Sequence, residues 1–127
     1  MHKRAFQKGA RIPMTAETYG RLALQLRMAG EALITYPTPD TYNQLTKMLA
    51  ALVRAKMASP AIDDANKALS DICDRYEEEG RIYTTDDEAA RIRQAVARLD
   101  RQLPSVAVNH FRQAVAEVEV FCASVGA

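Results

Sequence analysis

Acid–base and nucleophilic chemistry in this chain would have to draw on two histidines and two cysteines. Imidazole is the commonest general base, and a thiol acts as a nucleophile when such a base lies beside it. His2 sits near the N-terminus, so the pair to weigh is His110 with Cys73. No nucleophile elbow, Gly-rich turn or third orienting residue accompanies either one. Cys73 and Cys122 both fall on apolar helix faces and read as structural thiols. They form no Cys-x-x-Cys, so free thiols in a reducing compartment are expected rather than a disulfide.

Metal chemistry has as little to work with. No two histidines lie one helical turn apart, and the His and Cys residues lack ligand spacing. Asp64, Asp71 and Asp74 share one side of a helical segment and could attract a cation, although a solvated acidic face explains them as well. The five glycines are isolated, which leaves no phosphate loop and no dinucleotide fingerprint. Ser59, Thr85 and Ser105 sit where helix caps are needed, so they are poor nucleophile candidates. The expectation is a non-enzymatic protein with no cofactor and no metal.

Charge is more informative. Lys3, Arg4, Lys8 and Arg11 surround Phe6 with no acid among residues 1–12. Cations around an aromatic can hold a phosphate backbone while the ring stacks on a base. Gly9 and Pro13 interrupt any helix there, so residues 1–12 read as a flexible basic arm and residues 13–127 as one helical domain. Met1 to Pro13 has no apolar core after its basic residues and does not read as a secretory signal. Further on, Ser59 to Gly80 carries seven acids against two bases. Arg91, Arg98 and Arg101 lie opposite the apolar stripe of the next segment, where they could bind phosphates or an acidic protein surface. The run Glu77-Glu78-Glu79 opposes the dipole at the end of its helix and would suit a basic partner. A helix-turn-helix is conceivable at Tyr36–Asp40, with Asp40, Asn43, Gln44 and Lys47 as readers. A single cation on so apolar a pair of helices argues against it.

The elements that position these residues follow from one spacing. Tyr19, Leu22, Leu26, Ala29 and Leu33 recur at intervals of three and four. So do Tyr42, Leu45, Leu49 and Leu52, and likewise Ile62, Ala65, Leu69, Ile72 and Tyr76. Ala89, Ile92, Val96, Leu99 and Leu103 form the fourth set, and Val108, Phe111, Val115, Val118, Cys122 and Val125 the fifth. On an α-helix each set shares one face. Thr15, Thr38-Pro39, Ser59-Pro60 and Thr85 mark starts, Gly80 marks an end, and Pro104-Ser105 separates the last two helices. The prediction is an all-α, compact bundle of about five amphipathic helices. Short connections suggest that helices adjacent in sequence pack antiparallel.

The first, second and fifth helices carry apolar residues beyond one stripe, among them Leu24, Met28, Ala32, Met48, Ala51 and Val53. They are expected to supply most of the core, with surplus for a homodimer interface. A net charge of +1 points to neither an acidic decoy nor a general nucleic-acid binder. No stretch has the roughly 18 uncharged apolar residues of a membrane span, so a cytoplasmic protein without membrane contact is expected. The leading functional expectation is a small interaction or regulatory protein of bacterial or phage type. It would bind a macromolecular protein partner, as a homodimer. The alternative is a nucleic-acid-binding regulator using the arm and Arg91, Arg98 and Arg101.

Overall fold

The computed structural model describes residues 11–126. Five α-helices occupy them: α1 (Ala16–Thr35), α2 (Pro39–Arg54), α3 (Pro60–Glu79), α4 (Asp86–Gln102) and α5 (Val108–Ser124). One 3-10 turn, Leu103–Ser105, joins the last two, and no strand occurs among the described residues. The all-α bundle is therefore as the apolar spacing requires.

Local chemistry explains most boundaries. The hydroxyls of Thr15, Thr38, Ser59 and Thr85 each accept from a backbone N–H in the first turn of the helix that follows. At Thr38 and Thr85 the third helical residue reaches back, completing a capping box. Gly80 ends α3 at φ 74°, a left-handed conformation that costs glycine nothing.

Packing partners sort the helices into two groups. The first four close a ring in which α1 touches α2 and α4, and α3 touches α2 and α4. Cross-links give the directions. Tyr19 near the start of α1 meets Asp100 near the end of α4, and Arg75 late in α3 meets Glu88 early in α4. Each neighbour in the ring is thus antiparallel to the next. Leu26, Leu33, Leu45, Leu49, Leu52, Ile72, Ile92 and Leu99 fill the centre, fully excluded from water.

The fifth helix departs from expectation. It packs against α2 alone and makes no Cα approach within 8 Å of α1, α3 or α4. The core is correspondingly built mainly from α1 to α4, with Phe111, Ala114 and Val118 of α5 joining it over α2. The third and fourth helices bury Ile62, Leu69, Ile72, Ile92, Val96 and Leu99 despite their charged exteriors. Their narrow stripes are enough because the ring needs only one face of each. Part of the apolar surplus of α1 and α2 stays outside it: Leu24, Met28 and Val53 are half or more exposed, whereas Ala51 is buried.

The start of α5 also differs. Ser105 does not cap it, since its hydroxyl donates to the carbonyl of Gln102, and Ala107 at the cap position offers no side-chain acceptor. The chain's N-terminal segment takes over. Val108 N–H donates to the carbonyl of Ile12 at 2.8 Å, and Ile12 N–H donates to Asn109 Oδ1 at 3.0 Å. Arg11 adds a guanidinium bond to the Ser105 carbonyl. Residues 11 and 12 are therefore fastened to the junction between α4 and α5, although both are exposed.

Candidate functional site

The residues singled out by type are scattered. Lys3, Arg4, Phe6 and Lys8 lie outside the described residues. Arg11 is engaged as an anchor of the 3-10 turn, as above. Cys73 on α3 and His110 on α5 belong to helices that do not touch. Cys73 instead neighbours Tyr42, whose hydroxyl donates to the Leu69 carbonyl at 3.1 Å. Burial, then the thiol beside it, push that phenol up to about 12. Both cysteines are free and half-buried.

The two charge-rich helices answer each other. Arg91 on α4 reaches Asp71 on α3 at 3.2 Å and Asp87 one turn before it at 3.1 Å. Arg98 reaches Asp64 at 3.0 Å. The acidic side of α3 and the arginine side of α4 are thus one antiparallel seam, not two surfaces awaiting separate ligands. Helical spacing alone places these arginines opposite the apolar stripe. They stand at its flank, where a long side chain spans to the next helix. Arg101 alone of the three makes no ion pair among the described residues. It borders a cavity of about 330 Å³ between α1 and α4 that also holds Arg27, Glu31, Arg93 and Asp100. There Arg93 grips Glu31 through the Nε–Nη2 edge of its guanidinium, at 2.8 and 3.0 Å, and holds its carboxyl below the usual range.

The seam closes on a buried pair. Arg75 Nη1 donates to Glu88 at 3.0 Å, and its other terminal nitrogen serves both Glu88 and the Tyr83 carbonyl. The pair's side chains are 17% and 5% exposed, so both charges are largely withdrawn from water. Glu88 also accepts from the Thr85 amide, as the second half of the capping box. Burial pushes the Glu88 carboxyl up. The Arg75 guanidinium and the Thr85 amide more than offset this, and the net shift is downward. Arg75 and Arg81 both stack on the Tyr83 ring, with guanidinium carbons 4.3 and 4.6 Å from its centre. The site is structural: every strong acceptor in it is committed to the α3–α4 connection.

The opposite side of the bundle is open. Because α5 packs on α2 and stands clear of α1, a groove runs between α1 and α5 with α2 as its floor. It consists of three adjoining cavities of about 380, 180 and 520 Å³, all bordered by Gln25. The first lies between α1 and α5, over Leu22, Phe111 and Val115. The second crosses α2 at Met48 and Ala51. The third continues between α1 and α2, over Met28, Ala29 and Ala32. Small side chains keep the floor low, and two methionines, Met28 and Met48, line it with flexible thioethers.

The groove's rim is polar and mostly unengaged. Arg21 on α1, Lys47 on α2 and Arg112 on α5 border it. None of the three makes an ion pair or hydrogen bond among the described residues, in contrast to Arg75, Arg91, Arg93 and Arg98. Asp40 and Glu119 are the acids on the lining. Sequence reasoning singles out Met28, Ala32, Met48 and Ala51 as apolar surplus, and Gln44 and Lys47 as readers. It does not join them, and it misses Arg21, Gln25 and Arg112. The available signal is that Met28 and Ala32, like Met48 and Ala51, fall beside rather than within their stripes.

Among the described residues no group of three or more His, Cys, Asp or Glu could hold a metal ion. No helix there is long and apolar enough to cross a membrane. Comparison with known proteins finds no family model, no curated protein and no solved structure that matches this chain.

Proposed function

We propose that this is a non-enzymatic, cytoplasmic interaction protein that binds a macromolecular protein partner through the groove between α1, α2 and α5. One observation carries the reading: an apolar floor continuous across three helices lies open beside unpaired rim cations. Apolar surface left exposed within a polar rim is how a soluble domain presents a binding site. On the far side Arg75, Arg91, Arg93 and Arg98 are each paired with an acid of a neighbouring helix, and no reacting constellation accompanies the groove. Regulation or inhibition by occupying a partner's helix is the role such a face would serve.

A photo-activated cross-linker at Gln25, compared with one at Lys67 on the far side, tests this in cells that make the protein. The expected result is one discrete heavier adduct from Gln25 and none from Lys67. Equal labelling from both positions would remove the reading.

Self-association is the second expectation. Its support is apolar surface near the end of α5, where Val120, Phe121 and Val125 are 58% to 70% exposed. A molecular mass of one chain by light scattering at micromolar concentration ends it. Nucleic-acid binding gains no support from Arg91 and Arg98, whose charge is spent on Asp71, Asp87 and Asp64.

A further inference from the structure

Resting on the groove as the interaction surface, we infer that its occupant is an acidic amphipathic helix whose carboxylates lie between Arg21 and Arg112. The cavity between α1 and α5 is bordered by both arginines and by no acid. Each guanidinium lacks an ionic partner among the described residues, and the two share one depression. An anion between them would relieve their mutual repulsion and form charge-assisted bonds beside an apolar wall. That wall, with Leu22, Phe111 and Val115, asks for an aliphatic or aromatic side chain next to the acid. A helix with apolar residues three and four apart and an acid on the flank supplies both.

The far end has the reverse character. There Asp40 lines the cavity between α1 and α2, beside Met28 and Ala32. The groove is thus cationic at one end and acidic at the other, and its middle is an apolar floor flanked by one cation, Lys47, and one acid, Glu119. Helices commonly carry acids in their first turn and bases in their last. A bound helix therefore runs parallel to α1 and α5, with its first turn between the two arginines. The chain's own residues 1–10 do not suit the cationic end, because they carry His2, Lys3, Arg4 and Lys8 and no acid. A nucleic-acid backbone would satisfy the arginines but leave the apolar floor uncovered.

The test uses full-length protein and helical peptides of about 16 residues, roughly 24 Å long at 1.5 Å per residue. The starting peptide is selected from a phage-displayed library with fixed apolar positions at i, i+3, i+4 and i+7 and free positions elsewhere. Enriched sequences should carry Asp or Glu in the first turn. Binding of a labelled winner, followed by fluorescence anisotropy, should weaken roughly tenfold or more in the double variant Arg21→Glu/Arg112→Glu. It should also weaken as salt rises. A peptide with the acids replaced by lysines should regain affinity for that double variant. Winners that are basic or uncharged, yet compete at Gln25, would overturn the acidic partner and leave the groove reading standing. Winners that ignore the groove variants altogether would overturn both.

Discussion

One helix divides the molecule. On one flank of α1, Gly30 lets α4 approach closely, and Arg93 crosses to Glu31. On the other flank, Gln25 and Met28 face a groove that no part of the described chain fills. The α1–α4–α3 side is stitched, with Arg75, Arg91, Arg93 and Arg98 matched to acids on adjacent helices. The α1–α2–α5 side is left open, and although Arg54 pairs with Glu117 across α2 and α5, the rim cations Arg21, Lys47 and Arg112 are unmatched among the described residues. Charge segregation along the sequence suggests that α3 and α4 each keep a face for outside partners. In the fold those faces cancel each other, and residues of less conspicuous composition form the available surface. A strongly patterned charge is therefore weak evidence of a binding site until its neighbours are known.

The sharpest way to break the comparison is at Glu88. Glu88→Ala leaves the Arg75 guanidinium buried without its carboxylate and removes half a capping box. A loss of about 3 kcal/mol is expected, near the low end for breaking a buried pair because Arg75 keeps its bond to the Tyr83 carbonyl. Urea unfolding measures it. Replacing both members with apolar residues, Arg75→Met/Glu88→Leu, should recover much of the loss. A cost below about 1 kcal/mol for the single variant would mean that the seam does not hold the bundle.

Acid tests the same group. The folded Glu88 carboxyl is held below its ordinary value, by Arg75 and the Thr85 amide against the opposing effect of burial. Its contribution is therefore fully present above the unfolded value of about 4.3, and it is lost as pH falls through the lower folded value. Stability of the wild type should decline below that unfolded value, and Glu88→Gln should flatten the decline. An unchanged slope in the variant would assign acid sensitivity elsewhere, with Glu31 as the next candidate.

How much of this can be read in advance depends on distance along the chain. The starts at Thr15, Thr38, Ser59 and Thr85 are legible because a cap and its acceptor lie within three residues. The start of α5 is not, since the acceptor of its first N–H is the Ile12 carbonyl from the other end of the sequence. The acids of α3 and the arginines of α4 are each visible. Their pairing depends on antiparallel register, which periodicity does not give. The groove is hidden for the same reason: Arg21 and Arg112 become neighbours only because α5 settles on α2 and leaves α1 unattended.

That placement makes α5 the weaker-held element, and its N-terminal clamp should matter. Asn109→Ala removes the acceptor for Ile12 N–H, and a truncated chain beginning at Pro13 lacks the Ile12 carbonyl as well. Losses of roughly 1 kcal/mol are expected for each, as for a lost helix cap. Hydrogen exchange should show the increase confined to the first turns of α5, with α3 and α4 unchanged. A chain truncated to begin at Arg11 should behave as the full chain does. Exchange that rises equally in all five helices would mean that α5 folds as one unit with the ring.

Two glycines of α1 probe closeness of packing on a smaller scale. A Cβ at Gly20 would meet nothing within 4 Å, whereas one at Gly30 would sit 3.3 Å from Val96 Cγ2. Gly20→Ala should stabilise by roughly 0.5–1 kcal/mol through helix propensity. Gly30→Ala should gain less than half as much, because the new Cβ presses on Val96 Cγ2 and a β-branched side chain has few rotamers by which to turn away. Equal gains would show that the α1–α4 contact is looser than its geometry indicates.

The smallest expected effects belong to the groove, and their smallness separates the two sides of the molecule. Arg21→Ala, Lys47→Ala and Arg112→Ala should each change unfolding free energy by no more than about 0.5 kcal/mol, as for surface positions with no partner. Removing Arg112 takes a like charge away from Arg21 across their shared cavity, so its sign should be neutral to slightly stabilising, and added salt should shrink it. Arg98→Ala has the opposite sign, since it removes the partner of Asp64. The rim cations would then be residues whose loss leaves the fold intact and whose charge is directed outward, as a surface kept for another molecule requires. A loss above about 1 kcal/mol for Arg112→Ala would mean that the groove's rim supports the bundle, and the contrast with the stitched side would fail.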